Sequence, residues 1–452
     1  MDAVHFYVPR NLPISGDLYW PCAYITHLCY HGLTGFKSDG CARISRHWMR
    51  KMLGRAANSS LELLTKKRVI ERVGCYEPGD RSFGYRLLPE YMDVQFVECG
   101  SRKIARKIVE VHDAGIPVVN WLAEHAKTLS IDYEPAMESV PHLPPRRHEE
   151  TTEETMQAAI AAINVMRNHC PHFILDRRQG RVFSAHVNMH SGLRQFWRSP
   201  DGHQIVGVDV RNCQPLLLSL VAAAYYHDRQ TRSRLLNYGL DEKQSPYLWP
   251  QVRTWGSGLS VSKIFDTQPF GGNDLRHDVR HVQDTASPCP SPSSVDSRVS
   301  RVPSSVVAWL RLCESGRLYE SFGVDRERVK LEFILTMFGR RPLSSFEVGR
   351  KLLDRFSDIV SVIEDAKTRN ALSKRNDKRP HRFLSCLLQL VESTLMIYRV
   401  CGRIMRERPS TPVWTIHDSI YTSAPHLDYV RGVLLDEFAK VNIAPSLKEE
   451  WL

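Results

Sequence analysis

Two aspartates constrain this chain more than any other feature, each ending an apolar stretch and the pair separated by a basic helical run. Asp209 closes Val206-Gly-Val-Asp209 and is followed by Val-Arg-Asn-Cys-Gln-Pro, while Asp418 stands in Val413-Trp-Thr-Ile-His417-Asp418-Ser419-Ile-Tyr-Thr. The apolar quartets read as short buried strands. Asp209 then falls at an accessible edge, where a strand hands over to a helix expected from Leu216 to Tyr226, and His417-Asp418 forms the tip of a hairpin. Between them, Arg326 to Phe338 reads as a helix stopped by Gly339. At about 100° per residue, Arg326, Lys330 and Phe338 share an arc of roughly 120°. Each piece alone has a bland explanation: a strand-end Asp is often structural, and a basic helix edge is often merely solvated. Their order is more informative. Carboxylate, cationic helix, carboxylate is the layout needed to hold two divalent cations against a nucleoside triphosphate.

The chain of 452 residues has room for two or three domains with cores of their own. Its net charge of +11 and pI near 9.1 point to a polyanionic partner. No apolar run reaches the roughly 18 to 20 residues of a membrane span, and the N-terminus lacks a signal-peptide core. These features predict a cytoplasmic, nucleoid-associated protein with no membrane partner. The 11 cysteines form no CxxC pair, which fits a reducing compartment. Cys22, His27, Cys29 and His31 lie close together but match no zinc spacing, so they read as core or surface residues.

Along the chain, residues 1–95 read as a winged-helix-like module. Ile44–Leu53 is expected as one helix, and Leu61–Lys67, capped by Asn58-Ser-Ser, as a second. Val69–Tyr76 and Phe83–Leu88 then form a hairpin around Glu77-Pro-Gly-Asp80. Lys66, Lys67, Arg68 and the wing residue Arg81 are the candidate DNA contacts; a small packing module is the alternative. Residues 96–170 form a helical connector or thumb-like region, with a helical stretch over 100–130, a linker at Pro141–Arg147, and a helix from a Thr151/Glu154 capping box carrying Met156, Ile160 and Ile163 on one face. Residues 171–452 form the remaining unit, interrupted by a Pro/Ser-rich break over Gly271–Ser305 that is expected to be disordered.

Over residues 150–440 the chain resembles the family A DNA polymerase superfamily, which includes the phage and mitochondrial single-subunit RNA polymerases. Asp209-Val-Arg-Asn-Cys-Gln-Pro is similar to that family's first palm motif, and Arg326, Lys330, Phe338 and Gly339 match its fingers-helix spacing. His417-Asp418 matches its palm hairpin. Gln179-Gly180-Arg181 resembles its primer–template element, Leu193-Arg194-Gln-Phe-Trp a second such segment, and Glu314–Tyr319 the segment before the fingers. Gln389 resembles its palm glutamine near the primer terminus.

The resemblance implies an α+β right-hand fold: a palm with an antiparallel sheet, and helical fingers. It implies Asp209 and Asp418 as ligands of two Mg²⁺ ions, Lys330 as proton donor to the leaving pyrophosphate, and Arg326, Lys330, Phe338 and Gln214 around the nucleotide. Arg181, Arg194, Gln389 and His417 fall on the primer–template duplex. The implied partners are nucleic acid, foremost a DNA primer–template, and nucleoside triphosphates; oligomeric state is left open. Three departures stand out. Ser419 follows the hairpin Asp as in the RNA enzymes, Gln214 replaces the Glu that excludes a ribose 2′-hydroxyl, and Phe338 replaces a Tyr. Nothing resembles a 3′–5′ exonuclease, and Asp132-Tyr-Glu134 reads as surface. The expectation is therefore a DNA polymerase without proofreading, of mobile-element or plasmid type. A single-subunit RNA polymerase or primase, and a non-catalytic DNA-binding replication protein, remain as alternatives.

Overall fold

A helix with no polar stripe has to be enclosed on all sides, and Tyr19–Leu33 is such a helix. The structure, a computed structural model, describes residues 3–33, 41–74, 83–112, 115–145, 151–169, 173–176, 179–227, 302–323, 325–369 and 382–452. Its first elements are β1 (His5–Pro9), α1 (Tyr19–Leu33), β2 (Ala42–Arg43), α2 (Arg46–Leu53), α3 (Ala56–Lys66), β3 (Ile70–Val73), β4 (Gly84–Leu87), β5 (Val94–Glu98) and α4 (Arg102–His112). Strands β1 and β5 form an antiparallel ladder, with His5 opposite Glu98. A second antiparallel sheet runs in the order β2-β4-β3. Helix α1 lies at the centre, touching β1, α3 and β4.

Two boundaries differ from the sequence expectation. Ala42 and Arg43 pair with Tyr85 and Gly84, so the first helix begins only at Arg46, where Ser45 Oγ accepts the Trp48 N–H at 3.0 Å. The second begins at Ala56 rather than after Asn58-Ser-Ser, because Gly54 at φ +62° ends α2 and the chain re-enters a helix at once. Ala57 and Ser60 then face inward, which buries part of the polar triplet inside the helix.

Next come α5 (Pro117–Thr128), β6 (Ser130–Ile131), α6 (Tyr133–Ser139), α7 (Thr152–Arg167), β7 (Ile174–Asp176), β8 (Arg181–Phe183), α8 (Ala185–Asn188) and β9 (Trp197–Arg198). The helical stretch over 100–130 is two helices, separated at Gly115 (φ +66°) and Pro117, which opens α5. The capping box of α7 is present: Thr151 Oγ1 accepts the Glu154 N–H at 3.1 Å, and the Glu154 carboxylate accepts the Thr151 N–H at 3.0 Å. Contrary to expectation, α7 is buried on more than one face. Ala161 and Val165 join the N-terminal core, while Ala162, Ile163 and Met166 join a second core with Trp197 and Trp414. In the described part of the expected linker Pro141, His142, Pro144 and Pro145 are exposed, and Leu143 alone is buried.

The last elements are β10 (Ile205–Val210), α9 (Cys213–His227), α10 (Ser304–Glu314), α11 (Arg326–Phe338), α12 (Glu347–Arg355), α13 (Ser357–Arg369), α14 (Arg382–Ser393), α15 (Gly402–Glu407), β11 (Trp414–Ile416), β12 (Ser419–Ser423), α16 (Leu427–Ala439) and β13 (Leu447–Trp451). A π-helical run, Thr394–Cys401, joins α14 to α15. Residues 271–301 of the Pro/Ser-rich break lie outside the described residues, and its end is already helical, because α10 begins at Ser304. The path Phe383–Glu407 is long and apolar enough to cross a membrane, but 67% of its apolar window is buried inside the protein, as in a core helix.

The strands form a four-stranded antiparallel sheet in the order β11-β12-β10-β13. Strand β10 is therefore internal. The C-terminal strand β13, which the sequence did not announce, covers its other side with Lys448 opposite Asp209. Helices α9 to α16 enclose the largest core, around Leu216, Leu217, Trp309, Phe333, Leu388 and Phe438. Helices with small antiparallel sheets make the fold α+β.

Candidate active site

Strand β10 is buried along both faces, and its one glycine has a steric reason. Gly207 sits opposite Tyr421 on β12, and a Cβ there would lie 2.6 Å from the Tyr421 ring. Two residues on, Asp209 faces Ser419, whose hydroxyl donates to Asp209 Oδ1 at 2.5 Å. Strands β11 and β12 are joined by only two residues, His417 and Asp418, with His417 in the left-handed region at φ +53°. The Val210 N–H reaches the Asp418 carbonyl at 3.3 Å. The two aspartates are thus neighbours across one strand pair, although they are far apart in sequence.

The surroundings leave negative charge in excess. Burial, reinforced by Glu392 and then Asp209, pushes the Asp418 carboxyl up to about 7. The Cys213 thiol at the start of α9 is raised by burial and by the same three carboxylates, Asp418, Glu392 and Asp209. Glu392 on α14 is itself buried, which raises its carboxyl, and it accepts two bonds from Arg181, at 2.9 and 2.6 Å, and one from the Gln214 amide. Arg181 is aimed by the turn before it: Gly180 lies at φ +67° against Ser393, whose hydroxyl donates to the Gln179 carbonyl at 3.0 Å. Burial, then Arg181 and Arg194, hold the His417 imidazole down at about 4. Arg194 donates to the Tyr421 hydroxyl at 3.2 Å, and that hydroxyl donates to Glu450 at 2.6 Å. Arg181, Arg194 and His417 therefore assemble beside the aspartates.

Several polar atoms on these elements are buried with no protein partner among the described residues: both amide atoms of Asn212, Gln214 Oε1, Gln389 Oε1 and Arg194 Nε. Such atoms cost stability unless water or a ligand meets them. Asn212, at φ +53°, makes the turn from β10 into α9.

Helix α11 starts as expected, with Asp325 accepting the Arg328 N–H at 2.9 Å. Arg326 does not stand free. It pairs with Glu320 at 3.0 Å and Glu327 at 3.1 Å, 5.7 Å above the Tyr319 ring. Lys330 is exposed with no ion pair among the described residues. Phe338 is half-buried against the main core, whereas Leu331, Ile334 and Leu335 are exposed on the same helix. Tyr319 connects this helix to the carboxylates: burial raises its hydroxyl, Asp418 raises it further, and Arg326 opposes. Glu314, earlier in the same segment, accepts the Ala444 N–H at 2.9 Å, a structural bond. Lys66, Lys67 and Arg68 are exposed on the N-terminal unit, away from this constellation; Arg81 lies outside the described residues. Asp132 pairs with Arg198 at 2.5 Å on the surface.

Sequence reasoning missed Glu392, and gave no role to Asn212, Tyr319 and Tyr421, which stand inside the stretches it singled out. One signal existed for Glu392, a lone acid in the apolar run Leu384–Met396, since an unpaired charge is rarely placed in a buried helix. Among the described residues, no group of three or more His, Cys, Asp or Glu is arranged to hold a metal. The Asp209–Asp418 pair nevertheless suits a hard divalent cation, because both offer oxygen and a cation there would relieve the repulsion from Glu392 and Asp209 that helps raise the Asp418 carboxyl.

No protein-family profile matches the chain, and no curated protein matches it. Among solved structures it is similar to the POL domain of Pol1 from M. smegmatis in complex with DNA primer-template and dNTP, at 9% identity and a TM-score of 0.32, over 77% of this chain and 72% of that one.

Proposed function

We propose that this chain is a template-directed nucleotidyltransferase, a DNA polymerase without a proofreading exonuclease, with Asp209 and Asp418 as its catalytic carboxylates. The observation that carries the reading is the register that sets Asp209 opposite Ser419, the residue after Asp418, and leaves the pair with excess negative charge. Two carboxylates so placed on a palm-like sheet, together with a Lys330 left exposed on α11, suit nucleotidyl transfer.

Asp209 and Asp418 would hold Mg²⁺, which when bound supplies Lewis-acid polarisation of phosphate oxygens and neutralises their charge. The Ser419 hydroxyl fixes the Asp209 carboxylate by its hydrogen bond. Lys330, exposed and unpaired among the described residues, meets the triphosphate and protonates the departing pyrophosphate. Arg326 joins it by exchanging Glu320 and Glu327 for phosphate oxygens, which is cheap for pairs this exposed. Phe338 closes on the base, and Arg181, Arg194, His417 and Gln389 line the primer–template side. In the N-terminal unit the order α1, β2, α2, α3, β3, β4, with β4 between the other two strands, supports a winged-helix reading of residues 1–95.

A ribonucleotide-using enzyme is the second reading. The Gln214 NH₂ is committed to Glu392, which leaves its oxygen as the unpartnered atom, and an acceptor can take the hydrogen of a 2′-hydroxyl. Primer extension with dNTPs and, separately, rNTPs on DNA and RNA templates tests both. Asp209→Ala and Asp418→Ala are expected to abolish incorporation while leaving fold and duplex binding intact. Substantial activity in either variant removes the two-carboxylate mechanism, and equal use of rNTPs by the unmutated chain selects the second reading.

A further inference from the structure

The N-terminal unit carries a charged surface away from the cluster at the end of α3. Between Cys41 and Leu61 the chain has five basic residues (Arg43, Arg46, Arg50, Lys51 and Arg55) and no acid, and from Cys99 to Val109 it has four more (Arg102, Lys103, Arg106 and Lys107), again without an acid. Folding brings these two segments together. Helix α2 buries Met49, Met52 and Leu53, and α4 buries Ile104 and Ile108 in the same core. Lys107 then donates to the carbonyl oxygens of Lys51 at 2.8 Å and Met52 at 3.2 Å, which docks α4 on the last turn of α2 and satisfies that helix end with a cation. Arg50, Lys51, Arg102 and Lys103 are left exposed on the joined helices, and Arg55 in the turn that follows α2, with no ion pair among the described residues.

Like charges gathered on touching helices repel one another, and a polyanion relieves that cost. The chemistry narrows the polyanion. Among the described residues 3–108 no large apolar side chain is exposed, so these residues offer neither the wedge that an amphipathic helix inserts into lipid nor a platform on which unpaired bases stack. What remains is a rigid row of phosphates. Lys66, Lys67 and Arg68 form a separate patch: they lie at the far end of α3, about 16 Å along its axis, with exposed Glu62 intervening.

We propose that the α2–α4 face binds the phosphate backbone of duplex DNA, without regard to sequence, through Arg50, Lys51, Arg55, Arg102 and Lys103. That this duplex is also the reaction's substrate rests on the polymerase reading; the binding itself does not.

The test uses the full chain and a fluorescein-labelled 20-base-pair duplex, with affinity followed by anisotropy as salt is raised. In the variant Arg50→Ala/Lys51→Ala/Arg102→Ala/Lys103→Ala, the slope of log K against log salt is expected to become shallower by about 3.6, at about 0.9 per phosphate contact. Affinity near 0.1 M salt is expected to fall on the order of a hundredfold or more. Arg50→Lys/Arg102→Lys, which keeps the charge, is expected to keep the slope, and an unchanged urea midpoint shows that the fold survives. An unchanged slope in the fourfold variant overturns the proposal. So does loss confined to a single-stranded probe or to anionic vesicles, or a slope that instead drops with Lys66→Ala/Lys67→Ala. Primer extension on the same preparations separates the two readings. Duplex binding through this face without incorporation leaves the surface standing and removes the polymerase, whereas incorporation with an unchanged slope does the reverse.

Discussion

Replacing Asp418 with Asn is expected to make the metal-free protein more stable at neutral pH and not at acid pH. The carboxyl moves from 3.8 to about 7 on folding, pushed first by burial and then by Glu392 and Asp209. At 1.36 kcal/mol per pH unit this is worth about 4 kcal/mol. The sign follows from proton counts. Between about pH 4 and pH 7 the native state keeps a proton on Asp418 that the unfolded chain has released, so stability falls as pH rises through that window and is flat above it. His417 and His186 act in the opposite sense. Both are held down at about 4 by burial first, so their contribution is present above about 6.5 and is lost as pH falls through 4. The wild-type curve mixes all three. The difference between wild type and Asp418→Asn cancels His186 and most of His417, leaving the aspartate.

Urea midpoints in EDTA, followed by tryptophan fluorescence from pH 4 to pH 8, measure that difference. It should be small at pH 4 and grow to about 4 kcal/mol in favour of the variant by pH 7, with adjustment of Asp209 and Glu392 lowering the figure. Adding Mg²⁺ at pH 7.5 should stabilise wild type and leave Asp418→Asn nearly unchanged, because the cation relieves the same repulsion. A difference that does not vary with pH, or a variant less stable than wild type at pH 7, refutes the reasoning.

Arg181→Ala leaves Glu392 buried with the Gln214 amide as its one remaining partner among the described residues, so it is expected to cost about 3–5 kcal/mol in urea unfolding; Arg181→Ala/Glu392→Gln should recover much of that loss. Gln214→Gly removes bulk beside the expected sugar position and should raise single-turnover ribonucleotide incorporation about ten- to a hundredfold, from a steric penalty of roughly 1–3 kcal/mol. No change in the ratio of rNTP to dNTP use would exclude position 214 from sugar choice.

Local chemistry made much of this protein legible in its sequence. The Thr151/Glu154 capping box opens α7, and apolar runs form β10 and β11, with Asp418 in the expected turn and Asp209 one residue before the end of an internal strand rather than at an accessible edge. Arg326 to Phe338 is the helix its spacing announced. These features depend on contacts within a few residues, which a sequence states directly. Features that depend on distant partners were not legible. Strand β13, Leu-Lys-Glu-Glu-Trp, lacks the apolar alternation that marks a strand, and pairs only because β10 offers it a free edge. Glu392 could be seen as an odd charge in an apolar helix. Its bonds to Arg181 and Gln214, more than 170 residues away, exist only once α14 packs against β8 and α9. The two-helix basic face likewise needed Lys107 to find the end of α2. The sequence by itself determined which groups could do chemistry. The tertiary structure decided which of them meet, because a buried charge takes its partner, its proton affinity and its orientation from whatever the fold packs against it.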